Sequence, residues 1–97
     1  MSEKDDLLAM LRAALPELRR QWPIRTLCVF GSIARNEADA ESDLDILVEF
    51  DRPVSLSQFL GLEARLSELA GRSVDLVSRP ALKPFIGVRV LEEAIPV

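Results

Sequence analysis

A small α/β domain, a mixed sheet of about three strands flanked by helices, is the fold class this 97-residue sequence predicts. Three observations lead there. Short apolar runs at Thr26–Phe30, Ile46–Val48 and Ser73–Val77 have the length of strands and are bounded by Gly, Ser, Asp or Pro. Two longer segments, from Ser2 to about Leu15 and from Ser55 or Ser57 to about Ala70, carry apolar residues at helical spacing. The second of these helices stands between the second and third strands, the connection that yields a parallel pair.

Each element has a local reason. In the first helix Leu7, Leu11, Ala14, Leu15 and Leu18 form an apolar stripe, Ser2 with Asp5 makes a capping box, and the acidic first turn suits the helix dipole. Pro16 is expected to end that helix, because an interior proline costs about 3 kcal/mol, and to begin a separate short turn through Gln21. Trp22-Pro23 leads into the first strand, which Gly31-Ser32 halts. Asp51-Arg52-Pro53 is a turn after the second strand. The next helix presents Leu56, Phe59, Leu60, Leu62, Leu66 and Leu69 to the sheet, and Gly71 closes it as a C′ glycine. In the third strand Val74 and Leu76 face the core and Asp75 points the other way. A last helix is expected from Lys83 to Glu93 and a tail strand from Ile95 to Val97.

Composition narrows the function. At this length the chain is read as a single domain, 1–97, with no residues left for a second catalytic or binding domain. An apolar fraction of 48% with 29% charged residues is ordinary for a soluble globular protein. The net charge of −4 argues against sequence-independent binding to nucleic acid, whose phosphates demand Lys and Arg. Cys28 is alone inside an apolar strand and reads as a buried core thiol in a reducing compartment. No signal peptide or membrane-length apolar run is present, so a cytoplasmic location is expected.

The chemistry concentrates between Phe30 and Phe50, FGSIARNEADAESDLDILVEF. Asp43 and Asp45 stand one residue apart at the head of an apolar strand, where alternation sets both side chains on one face about 6–7 Å apart. Adjacent carboxylates repel and need compensation, for which a divalent cation is the simplest means. Hard oxygen ligands, with no histidine in the chain and one cysteine, suit Mg²⁺ or Mn²⁺ and disfavour zinc. Gly31 lets backbone approach a ligand closely, and Ser32 offers a hydroxyl and an N–H, a common way to hold phosphate oxygens. A Gly-Ser pair alone is an ordinary turn. The loop between it and Ser-Asp-Leu-Asp brings phosphate cradle and carboxylates to the same end of two adjacent strands. An EF-hand calcium loop and a P-loop are both absent.

In order and spacing Gly31, Ser32, Ala34, Arg35, Ser42, Asp43 and Asp45 resemble the Gly-Ser-x-Ala-Arg-Gly, spacer, Ser-Asp-x-Asp signature of the polymerase-β-like nucleotidyltransferases, and most closely the minimal nucleotidyltransferase family. Asn36 departs, standing where the family has glycine; asparagine best tolerates a left-handed backbone, so the turn is expected to survive.

The resemblance implies that Asp75 joins Asp43 and Asp45 as the metal and catalytic triad around two Mg²⁺ ions, Asp75 also taking the acceptor's proton. It implies that Gly31 and Ser32 hold the triphosphate of ATP. Arg35 either adds charge there or braces the loop through Glu37, Asp39 or Glu41. It further implies an antitoxin that transfers AMP to a hydroxyl, that of a tyrosine, on a HEPN-type toxin. Two other readings stand beside this: a non-catalytic antitoxin that acts by binding, and an enzyme modifying a small molecule.

Overall fold

The computed structural model describes residues 2–39, 41–79 and 91–97. Its elements run in the order α1 (Glu3–Gln21), β1 (Ile24–Phe30), α2 (Gly31–Ala34), β2 (Leu44–Phe50), α3 (Leu56–Ala70), β3 (Val74–Ser78) and β4 (Ile95–Pro96). The sheet has four strands in the order β3-β2-β1-β4, one more than the three principal runs, because the tail pairs with β1. β1 is antiparallel to β2 and to β4, while β2 and β3 are parallel, as the helical crossover requires. Residues 91–93 are helical, and the rest of the helix expected from Lys83 lies outside the described residues.

The core forms on one face of the sheet. Leu27 and Val29 of β1, Leu44, Ile46 and Val48 of β2, and Val74 and Leu76 of β3 meet Leu7, Leu8, Leu11 and Leu18 of α1 and Leu62 and Leu66 of α3. Period-two alternation leaves Cys28, Phe30, Asp45 and Asp75 on the opposite face, and Cys28 is half-buried there rather than sealed in the core. Burial pushes its thiol pKa up, with Glu49 adding and Arg79 opposing.

Two local expectations are corrected. α1 does not stop at Pro16 but runs through it to Gln21. Pro16 is exposed, so the carbonyl of Arg12 that it leaves unbonded is on the wet side, while Leu11 before it and Leu18 after it are both buried. Burying an apolar side chain yields about 1.5–3 kcal/mol, enough to hold both halves in one helix. In α3 the apolar stripe is narrower than the sequence suggests: Leu56 is 73% exposed and Leu60 50%, while Leu62 and Leu66 are sealed.

The caps follow local chemistry. Ser2 Oγ accepts from the Asp5 N–H, and Ser55 forms the full capping box with Gln58 at the start of α3. Gly71 ends α3 in the left-handed region at φ 67°. No helix among the described residues is long and apolar enough to cross a membrane.

Candidate active site

The end of β1 and the starts of β2 and β3 meet at one end of the sheet. Phe30 pairs with Asp45, and Asp45 pairs in turn with Asp75, so the Gly-Ser turn and two of the three carboxylates share one row of the sheet. Asp43 lies just before β2. Asp43 and Asp75 are exposed and Asp45 is half-buried.

Gly31 joins the two halves of the motif. Its φ is +73°, and a Cβ at that position would collide with Oδ2 of Asp45 and lie 3.0 Å from its Cγ. Glycine is therefore required twice over, by backbone conformation and by the carboxylate lying against it. Ser32 follows immediately, in the first turn of α2.

The turn after α2 closes as a Schellman motif. The Glu37 N–H donates to the Ser32 carbonyl at 2.9 Å and the Asn36 N–H to the Ile33 carbonyl at 3.1 Å. Asn36 sits at the C′ position with φ 60°, the left-handed conformation expected of it. The spacer then folds on Asp39, which accepts from the Glu41 N–H and exchanges hydrogen bonds with Ser42.

The electrostatics centre on Asp45. Burial is the largest cause raising its carboxyl pKa above the usual range, Asp75 and Asp43 add to it as like charges, and Arg35 pulls it partly back. Both other carboxylates thus act on Asp45. Arg35 pairs with Glu37 at 3.0 Å and with Glu93 at 2.9 Å, which raises its own pKa, through Glu37 first. Of the acidic spacer residues considered for it, Glu37 is the partner found. Glu93 could not have been named beforehand, since it comes from 58 positions away.

Among the described residues no three acidic, histidine or cysteine side chains are gathered tightly enough to form a ready-made metal cage. The donor chemistry nonetheless suits a hard divalent cation: an Asp45 carboxyl held above its usual pKa, with Asp43 and Asp75 adding like charge beside it. The large apolar groove of about 770 Å³, lined by Phe50, Val54, Leu56, Phe59 and Leu76 among others, is at the other end of β2 and β3. It shares no residue with this site.

Comparison with known proteins agrees with the geometry. The family model described as nucleotidyltransferase domain matches residues 11–97. Protein adenylyltransferase MntA of Thermococcus cleftensis is 42% identical over 91 residues, covering 94% of this chain and 92% of that protein. A solved structure of a candidate minimal nucleotidyltransferase superposes with TM-score 0.83 at 40% identity, over 99% of this chain and 97% of the other. At 18% identity, where only the fold is comparable, the complex of a tri-AMPylated Shewanella oneidensis HEPN toxin with its MNT antitoxin matches with TM-score 0.61, over 97% of this chain and 67% of that one. With the motif, the strand register and these matches in agreement, the chain belongs to the nucleotidyltransferase domain family, in its minimal nucleotidyltransferase branch.

Proposed function

We propose that this enzyme transfers AMP from ATP to a tyrosine hydroxyl of a HEPN-type toxin, acting in the cytoplasm as the antitoxin of a two-protein module, with residues 1–97 as one catalytic domain. The observation that carries it is the juxtaposition of Gly31 with Asp45 in a row that continues to Asp75. The 42%-identical relative is a protein adenylyltransferase, and the AMPylated toxin bound to an MNT antitoxin shows what a protein of this fold assembles with.

In this reading Asp43, Asp45 and Asp75 hold two Mg²⁺ ions, with Mn²⁺ able to replace them, and the metal when bound neutralises the carboxylates and phosphates and makes the acceptor hydroxyl more acidic. Ser32 and the N–H groups of the Gly31-Ser32 turn contact the β- and γ-phosphates and orient the α-phosphorus. The acceptor oxygen attacks that phosphorus, the bond to pyrophosphate breaks, and Asp75 takes the hydroxyl proton. Arg35, held by Glu37 and Glu93, braces the turn and lends positive charge near Asp45. Because Asp43 and Asp75 are exposed, an acceptor on a macromolecule can reach them. The net charge of −4 supports a protein acceptor over a nucleic acid.

The test is incubation with Mg²⁺, α-labelled ATP and the product of the neighbouring gene. The chain contains no tyrosine, so any AMP-tyrosine recovered belongs to the partner. Label on the partner that Asp43→Asn abolishes is the expected result. Neutralisation without label, surviving Asp43→Asn, would assign an antitoxin that works by binding alone; label on a small molecule without the partner would assign a different acceptor.

A further inference from the structure

We infer that Arg72 is a positioning residue for the carboxylate site, acting with the main chain of Ser73 to fix the backbone of Asp43; the inference rests on the metal-dependent reading above. Asp43 is exposed and follows a spacer whose Glu37, Asp39 and Glu41 are exposed as well, so burial does little to place it. Its conformation is set by the two peptide groups on either side. The carbonyl of the first, at Ser42, accepts from Arg72 Nη1 at 3.1 Å. The N–H of the second, at Leu44, donates to the Ser73 carbonyl at 2.9 Å. Consecutive residues at the junction of α3 and β3 therefore grip both peptide planes that flank Asp43. The same junction opens the strand that carries Asp75.

The guanidinium is itself held. Its other terminal nitrogen pairs with Glu3 in the first turn of α1, and the Arg72 side chain is only 18% exposed. One rigid fork thus links the start of α1, the residue before Asp43 and the start of β3. A lysine would supply charge to Glu3 but not two donors in a fixed plane. Groups that orient a ligand without touching the metal typically change metal affinity by about 10–100-fold when lost.

The experiment titrates Mn²⁺ alone into wild type, Arg72→Ala, Arg72→Lys and Ser67→Ala, reads free Mn²⁺ by electron paramagnetic resonance, and records the melting of each in EDTA. Ser67 is the control for damage to this junction, since its Oγ accepts from the Val74 N–H on the β3 side away from Asp43. Arg72→Ala is expected to bind Mn²⁺ about tenfold more weakly, with Arg72→Lys recovering only part of the loss. Ser67→Ala is expected to melt lower in EDTA with unchanged Mn²⁺ affinity. Unchanged affinity in both Arg72 variants, beside a wild type that binds, would overturn the role of Arg72 alone. A wild type that binds no Mn²⁺ would overturn the metal reading and this role with it. Should Arg72→Ala not fold, Arg72→Lys carries the test, since it keeps the charge facing Glu3.

Discussion

At the scale of single residues, Gly31 and Asp45 behave as one unit. Gly31→Ala would place a methyl against the Asp45 carboxylate in a backbone region that L residues rarely adopt. A cost of about 1–3 kcal/mol is expected, together with loss of nucleotidyl transfer, checked by chemical denaturation and the labelling assay. Asp45 also sets a pH dependence. Its folded pKa lies above the unfolded one, so between the two the folded chain holds more protons. Stability of the metal-free protein therefore falls as pH rises from the ordinary carboxylate range through the raised value, and is recovered on acidification. Asp45→Asn is expected to flatten that slope and to melt higher than wild type at neutral pH, in melts run in EDTA across pH 4–8. The opposite sign would mean that Asp45 is stabilised as an anion by a partner not recognised above.

At the scale of elements, α1 and α3 show tertiary burial and local propensity in different proportions. Pro16 is tolerated inside α1 because it faces water while leucines on both sides are anchored. Pro16→Ala is expected to stabilise the fold by up to about 3 kcal/mol, read from denaturant midpoints; a neutral result would mean that the unfolded chain gains as much freedom as the helix gains in hydrogen bonding. α3 depends on its cap, so Ser55→Ala is expected to cost about 1 kcal/mol. α3 also covers the outer edge of β3, where Ser67 Oγ accepts from the Val74 N–H and Glu63 from the Leu76 N–H. An edge strand with paired N–H groups resists unwanted strand addition. Glu63→Ala with Ser67→Ala is expected to raise the aggregation rate on mild heating, measured by light scattering.

At the scale of the whole molecule, the sheet brings the Gly31-Ser32 turn and the carboxylates of Asp45 and Asp75 to one end, with Asp43 just before β2, while the helices seal one face. Asp43 and Asp75 both add like charge at Asp45, so cation binding should stabilise the fold as a whole. At a Mg²⁺ concentration one hundred times its dissociation constant the gain is about 2.7 kcal/mol. A rise in melting temperature with Mg²⁺ is expected for wild type and should vanish in Asp43→Asn with Asp45→Asn. An equal rise in that double variant would place the ions elsewhere.

Much of this protein was legible in one dimension, because the relevant signals are local. Alternation placed Val74 and Leu76 inside and Asp75 outside, the Ser-Asp-Leu-Asp spacing marked paired carboxylates, and Asn36 announced its left-handed turn. Those properties depend on residues a few positions apart. What only the tertiary structure decided is held by contacts across long separations: Arg35 with Glu93, Arg72 with Glu3 and Ser42, and the passage of α1 through Pro16. Local pattern fixes which way a side chain points, but which distant partner it meets is settled by packing the sheet against its helices, where the summed burial of leucines outweighs any one local preference.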